Sequence, residues 1–107
     1  MIALTPEQRQ SVEQRFRDLA IQWAELTAYR SNVGGLRHHA VYQELMSLGE
    51  PAVPLILGEL ARKPSASWFG ILGTITGENP VSAELAGHVG AMAGAWVEWG
   101  RRQGYLE

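Results

Sequence analysis

Apolar side chains recur at helical spacing in two stretches, one near each end of the chain. In both, large residues follow one another at intervals of four, three, four and three positions: Val12, Phe16, Leu19, Trp23 and Leu26, then Leu85, Val89, Met92, Trp96 and Trp99. This spacing keeps the side chains on one face of an α-helix. We therefore predict α-helices over about residues 5–30 and 82–103, each with one buried face.

The first of these helices has a clear start. Thr5 can cap the helix, Pro6 suits its first position, and Gln8 stands where a capping box places Glu or Gln. The apolar stripe that follows is heptad-like, so it packs either within the chain or against a second copy. The usual burial of such residues in a core favours packing within the chain.

Glycine and proline divide the middle of the chain into shorter helices. We predict a second helix over 36–48, ended by Gly49, and a third that begins at Pro51 and Pro54 and stops at Pro64. The third helix is apolar on nearly every side, which is typical of a central helix in a bundle. Residues 65–77 carry no charge and combine helical spacing with strand propensity. We predict a buried helix there, because no second strand exists to pair with it.

The fold class that follows is all-α, a compact bundle of about five helices. A length of 107 residues fits one domain, residues 1–107. The segment 31–35, which contains the paired glycines Gly34 and Gly35, is the best candidate for a hinge. In that case the first helix, about 5–30, is an arm on that domain. A plain turn is the simpler interpretation of the same residues.

Composition excludes several classes of protein. The chain has no Cys, which excludes disulfides and thiolate metal sites. It has no apolar run of about 18 residues and no visible signal peptide, so we expect a cytoplasmic protein that does not enter a membrane. Residues 64–100 contain no Lys or Arg, so nucleic-acid binding, which needs clustered cations, is not the expected function.

Residues 36–63 resemble a HEAT-type helical hairpin. The resemblance rests on Leu48-Gly49-Glu50, Ala52-Val53-Pro54-Leu55 and Leu60. In HEAT repeats this phrase joins the two antiparallel helices of one repeat. The resemblance implies one such hairpin completed by other helices, since a chain this short cannot form the array that such repeats usually build.

The C-terminal half is similar to a group of small, functionally uncharacterised bacterial helical proteins. The similar segments are Trp68-Phe69, residues 75–80, Ala95-Trp96-Val97-Glu98-Trp99-Gly100 and Gly104-Tyr105. This similarity adds support to the fold and implies no particular chemistry.

No arrangement of residues points to a metal, a cofactor or a catalytic site. His38 and His39 are adjacent and would point about 100° apart on a helix, so they are poor partners for one ion. Gly70, Gly73 and Gly77 lack the Lys of a phosphate-binding loop, and close helix packing explains them better. We expect no enzyme activity and no cofactor. The alternative is a small helical enzyme or an anionic-ligand-binding bundle that uses Glu84, His88 and Arg101.

Four Trp are more than a core of five short helices needs. Trp, Tyr and Arg are enriched at binding hot spots. The partner-binding candidates are therefore Trp96, Trp99, Tyr105, Trp68, Arg101 and Arg102, with core anchoring as the alternative role of the Trp. We predict a non-enzymatic protein–protein interaction module, a small adaptor or regulator of the antitoxin kind. Its partner is another protein or a second copy, the latter through helix 1 or through the last helix with its Gly90 and Gly94.

Overall fold

Five α-helices account for most of the residues that the computed structural model describes, which are 5–28 and 33–106. Short 3₁₀ helices at Val33–Leu36, Glu50–Ala52, Ala66–Trp68 and Ala83–Leu85 precede the last four of them. Neither described range contains a strand, so the all-α fold class is confirmed, and residues 69–76 are helical as predicted. The bounds are α1 Pro6–Thr27, α2 Ala40–Leu48, α3 Val53–Arg62, α4 Phe69–Thr76 and α5 Val89–Arg102.

The chain divides into two compact units, residues 1–52 and residues 53–107, which we call the N-unit and the C-unit. In the N-unit, α1 packs against α2 and against the 3₁₀ helix at Glu50–Ala52. The single domain and the hinge at 31–35 remain predictions, and residues 31 and 32 of that hinge lie outside the described residues.

The core of the N-unit is formed by the central part of the predicted stripe of α1. Phe16, Leu19 and Trp23 are buried, as are Val41 and Leu45 of α2. The rings of Trp23 and Tyr42 lie 5.9 Å apart between their centroids, and Arg15 pairs with Glu44 at the surface. The stripe is thus used within the chain, which was the favoured alternative.

The start of α1 is confirmed in detail. The Gln8 N–H donates to Thr5 Oγ1 at 3.1 Å, and the Thr5 N–H donates to Gln8 Oε1 at 2.9 Å. These two bonds form a capping box that satisfies donors which the first turn leaves without helical partners. The helix ends at Thr27, and the last residues of its predicted range, 29 and 30, are not described.

The start of α2 differs from the prediction. The helix begins at Ala40 rather than Leu36, because His39 has an extended backbone and caps it. His39 Nδ1 accepts the Val41 N–H at 3.1 Å. The predicted end is confirmed, since Gly49 has φ of 65° and its N–H donates to the Met46 carbonyl.

In the C-unit, α3 packs against both α5 and α4. Val53, Ile56, Leu57 and Leu60 of α3 are buried, so this helix is central to its unit as its composition indicated. One side of α3 nevertheless faces solvent, because Gly58 and Ala61 are exposed. The buried residues that the other elements contribute are Trp68, Ile71, Leu72, Ala93, Trp96, Val97 and Trp99.

The last helix is shorter than predicted. It begins at Val89 rather than Ser82, because Gly87 has φ of 85° and interrupts the helix. That conformation is open to glycine and costly for other residues. Leu85 therefore belongs to a separate 3₁₀ helix, and Val89 is partly exposed rather than part of a buried stripe.

One glycine of α5 lies in close contact with another helix. Gly90 and Gly94 are exposed, and a β-carbon built at either would have no neighbour within 4 Å, so no other described element approaches them closely. The close approach occurs about two to three turns later, at Gly100. A β-carbon at Gly100 would lie 2.4 Å from Leu57 Cδ1.

The end of α5 is a Schellman motif. The Tyr105 N–H donates to the Gly100 carbonyl at 2.8 Å, and the Gly104 N–H donates to the Arg101 carbonyl at 3.2 Å. Gly104 supplies the required positive φ, at 85°. The apolar contact that accompanies such motifs is made here by Tyr105, which stacks on Trp99.

Candidate functional site

Three of the six predicted partner-binding residues form one aromatic cluster in the C-unit. The ring centroids of Trp96 and Trp99 lie 5.4 Å apart in an edge-to-face arrangement. Tyr105 stacks on Trp99, with 5.6 Å between centroids and 28° between planes. Trp96 and Trp99 are 2% and 8% exposed, so these rings serve the interior of the unit in the free chain.

The remaining three candidates are Trp68, Arg101 and Arg102. Trp68 is buried at the start of α4. Arg101 and Arg102 are exposed in the last turn of α5, where Arg101 lies 3.7 Å from the carboxylate of Glu98. Cations at this end of a helix interact favourably with its dipole. Of the six candidates, the two arginines and the half-buried Tyr105 are the ones that solvent reaches.

The alternative site residues do not come together. Glu84 lies in the 3₁₀ helix at Ala83–Leu85, and His88 stands just before α5. Residues four apart lie side by side only on a continuous α-helix, and no α-helix includes both Glu84 and His88. Arg101 lies at the far end of α5, about 20 Å from His88 by the rise per residue of a helix.

The histidines and carboxylates form no metal cluster within the described ranges. No group of three or more His, Asp or Glu side chains there is arranged to hold an ion. His39 has a structural role as the cap of α2, while His38 and His88 are exposed.

A groove of about 510 Å³ lies in the C-unit between α4, the segment 78–86 and α5. We call it the α4–α5 groove. Most of the residues that line it are exposed, so it is open along its length rather than enclosed. Its size falls in the range of ligand pockets, whereas its openness is unlike the pockets that bury small molecules. The lining residues are Phe69, Gly70, Gly73, Glu78, Asn79, Val81, Ser82, Ala83, Ala86, Met92 and Trp96.

The floor of the α4–α5 groove is apolar. Phe69, Val81 and Met92 are half-buried and Trp96 is buried, and these four contribute the large apolar side chains of the lining. Met is a flexible, polarisable side chain that adapts to differently shaped partners. Gly70 adds no side chain to the α4 wall, and a β-carbon there would have open space around it.

Polar groups lie on one rim of the groove. The Asn79 Oδ1 accepts the Val81 N–H at 3.2 Å, which orients the amide and leaves its NH₂ group facing away from that bond. Ser82 stands at the cap position of a 3₁₀ helix, yet its hydroxyl makes no capping bond. The Glu78 N–H is held by Thr76 Oγ1 at 3.1 Å, and among the ion pairs of the described residues none involves the Glu78 carboxylate.

The charge near the groove is of one sign. Glu78 lines it, Glu84 directly follows the lining residue Ala83 in sequence, and residues 64–100 contain no Lys or Arg. The cations of the C-unit lie at the ends of α3 and α5, where Arg62 pairs with Glu59 and Arg101 with Glu98. The rim therefore favours cations over anions.

Sequence reasoning missed this groove. It interpreted Gly70 and Gly73 as sites of close helix packing, which is wrong, since the nearest atom to a β-carbon at Gly73 is the Glu78 carbonyl oxygen at 3.8 Å and Gly70 has none within 4 Å. The available signal was the position of both glycines beside Phe69 in an uncharged segment. Nothing in the sequence indicates which other segment lies opposite them.

A smaller groove of about 280 Å³ lies in the N-unit. It is formed by α1 and the start of α2, and its lining combines Leu26 and Val41 with the polar side chains of Gln22, Glu25 and His39. Two of these lining residues, His39 and Val41, are joined by the hydrogen bond that caps α2, so His39 already has a structural role there.

Comparison with protein-family models, with curated proteins and with solved structures finds no match for this chain. Among the described residues, no helix combines the length and the apolar character needed to cross a bilayer.

Proposed function

We propose that this chain is a non-enzymatic protein–protein interaction module, a small adaptor or regulator, and that the α4–α5 groove is its binding site. The observation that carries this proposal is an open apolar groove whose rim presents side chains with unused hydrogen-bonding groups. Apolar floors with polar rims are the common anatomy of protein interfaces. The proposal thus moves the contact surface from the buried Trp rings to the groove that Trp96 supports.

The residue types in the groove support binding rather than catalysis. Acid–base chemistry requires positioned titratable groups near the reacting atoms. Glu78 is the one titratable side chain among the residues that line the groove, and it stands on the rim. An apolar floor of Phe69, Val81 and Met92 provides surface for burial, which is the main favourable term in association.

Several finer features belong to the same proposal. The HEAT-like hairpin at 36–63 rests on its sequence alone; its two helices would be α2 and α3, which follow one another along the chain after Gly49. An antitoxin-like role, in which the chain occludes part of another protein, would suit its size. A bacterial and cytoplasmic setting is part of this proposal and rests on the similarity of the C-terminal half and on the composition alone.

A second copy of the chain is the other partner to consider. Ile21 is 62% exposed on α1 and is the most exposed large apolar residue among those described. A single exposed apolar residue is common on monomers and does not by itself make an interface. The groove offers more apolar surface, so we place the contact there, whether the partner is a second copy or a different protein.

The test is site-specific photo-crosslinking in the cells that make this protein. A benzophenone amino acid at Ala86, which lines the groove, is compared with the same amino acid at Gly94, which is exposed on α5 outside it. We expect discrete protein adducts from position 86 that are absent from position 94. Mass spectrometry of the adduct then separates a second copy from a different protein. Adducts of equal kind and amount at both positions, or none at position 86, would contradict the proposal.

A further inference from the structure

We propose that the α4–α5 groove takes a segment of a partner protein that presents an apolar side chain next to a Lys or Arg. This inference rests on the proposed function and adds the chemistry of the partner. It is drawn from three properties of the groove: an apolar floor, walls that include small residues, and a rim carboxylate with no cationic partner among the described residues.

The floor determines the apolar part of the partner. Phe69 and Met92 are half-buried, so each keeps carbon surface that a partner can cover. Their contacts with an inserted side chain remove apolar area from water on both sides, which favours association. Met92 lets the floor adapt, so the site should accept Leu, Met, Ile or Phe rather than one of them alone.

The wall determines how closely the partner can approach. Gly70 is exposed and has open space where a side chain would stand, and Ala83 and Ala86 across the groove are small and exposed. Small residues on both walls admit a main chain or a helix face. This shape suits a protein segment that lies along the groove, whereas a small metabolite would leave much of the groove open to water.

The rim of the groove determines the charge that the partner segment should carry. The Glu78 carboxylate has no cationic partner among the described residues, and the surrounding sequence from 64 to 100 supplies none. A Lys or Arg beside the apolar anchor would complete this pair. An anionic segment would meet Glu78 without compensation, which makes the rim selective as well as attractive.

Two further rim groups fit the main chain of such a segment. The Asn79 amide is held in place by its bond to the Val81 N–H, so its NH₂ group can donate to a partner carbonyl. The Ser82 hydroxyl, which makes no capping bond, can donate or accept. These groups would orient the segment without selecting its sequence.

The experiment uses the whole chain and three fluorescein-labelled synthetic peptides of equal length. The first carries Leu on one face and Lys on the opposite face of an amphipathic helix, the second has Glu in place of each Lys, and the third has Ser in place of each Leu. Fluorescence anisotropy gives the affinity of each. We expect the Leu/Lys peptide to bind at least about tenfold more tightly than the Leu/Glu peptide, and the Ser/Lys peptide to bind more weakly than the Leu/Lys peptide.

Two pairs of variants locate the binding. Gly70→Leu fills the groove at a position with open space, so it should abolish binding of the Leu/Lys peptide, whereas Gly94→Leu on the exposed face of α5 should not. Glu78→Gln should weaken binding of that peptide about threefold, as expected for one exposed ion pair, and Glu98→Gln should leave it unchanged. Circular dichroism of each variant shows that the helices are retained.

The outcomes separate this inference from the proposed function. Equal affinity for the Leu/Lys and Leu/Glu peptides overturns the inference, because the charge of the rim would then play no part in binding. Binding that survives Gly70→Leu also overturns it, because attraction to the acidic surface outside the groove would explain such binding. Failure of the Leu/Lys peptide to bind also overturns it. If position 86 still forms a protein adduct in cells after such a failure, the interaction module stands and only the chemistry of its partner is wrong.

Discussion

Gly100 of α5 and Leu57 of α3 lie so close that a β-carbon at position 100 would stand 2.4 Å from Leu57 Cδ1. Leu57 is completely buried, so its side chain has little room to move away. The contact explains why glycine occupies an interior helical position that would otherwise favour Ala by about 1 kcal/mol. The packing of α3 on α5 in the C-unit depends on the absence of a side chain there.

We therefore predict that Gly100→Ala destabilises the protein. Overpacking in a well-packed core costs about 1–3 kcal/mol, which exceeds the gain in helix propensity. The matched control is Gly94→Ala in the same helix, where the new methyl group meets nothing within 4 Å. That control should raise the free energy of unfolding by up to about 1 kcal/mol. Urea unfolding followed by circular dichroism measures both.

A double-mutant cycle would assign the effect to the contact. Leu57→Val removes Cδ1, so Gly100→Ala should cost less in that background than in the parent protein. Additive effects of the two substitutions would show that the penalty arises from something other than this pair.

A second prediction concerns the Schellman motif at the end of α5. Gly104→Ala should cost about 1–2 kcal/mol, because Ala must adopt the left-handed conformation at φ of 85°. Gln103→Ala, one residue earlier in ordinary helical conformation, should change the stability little. Thermal unfolding compares them, and equal effects would mean that the motif contributes nothing.

A third prediction follows from the stack of Tyr105 on Trp99. Tyr105→Ala removes the ring that covers Trp99, so the Trp emission should shift to longer wavelength. Tyr105→Phe keeps the ring and should keep the emission close to that of the parent. An unchanged spectrum in the Ala variant would indicate that Trp99 is covered by other groups.

A fourth prediction concerns the capping box of α1. Thr5→Ala removes the oxygen that accepts the Gln8 N–H and should cost about 1 kcal/mol of stability. Thr5→Ser should retain most of it, because the hydroxyl is preserved. Ser11→Ala, an exposed substitution within the same helix, serves as the control and should be neutral or slightly stabilising.

A fifth prediction separates the two adjacent histidines. His39→Ala removes the nitrogen that accepts the Val41 N–H, so it should destabilise α2 by about 1 kcal/mol. Asn at position 39 should restore the cap. His38→Ala changes an exposed side chain one residue away and should have little effect. If both Ala variants lose the same stability, the cap is not the cause.

Local signals in the sequence were enough for the fold class and for several helix ends. The capping box at Thr5 and Gln8 and the glycine cap at Gly49 are short-range features, and the structure confirms them. The start of α5 was misplaced because the apolar spacing continues from Leu85 through Trp99 without a visible break. The interruption comes from the positive φ of Gly87, and sequence alone does not distinguish a glycine in that conformation from a helical one.

The roles of the other glycines and the groove could not be read from the sequence for a different reason. Three glycines lie within helices and look alike in the sequence. Gly70 lines the groove, Gly94 faces solvent and Gly100 contacts Leu57. Which of these applies depends on the element that lies opposite, and that is a property of the tertiary structure. The same holds for the groove, since α4, residues 78–86 and Met92 of α5 are brought together only by the fold.

The scarcity of lysine in the sequence has a practical consequence for studies of binding. Lys63 is the only lysine in the chain, and it follows α3 outside the residues that line the α4–α5 groove. Attachment of the protein to a sensor surface through its amines can therefore use only Lys63 and the N-terminus. The immobilised molecules would keep every groove-lining side chain chemically intact, so kinetics measured on such a surface report on an unmodified site.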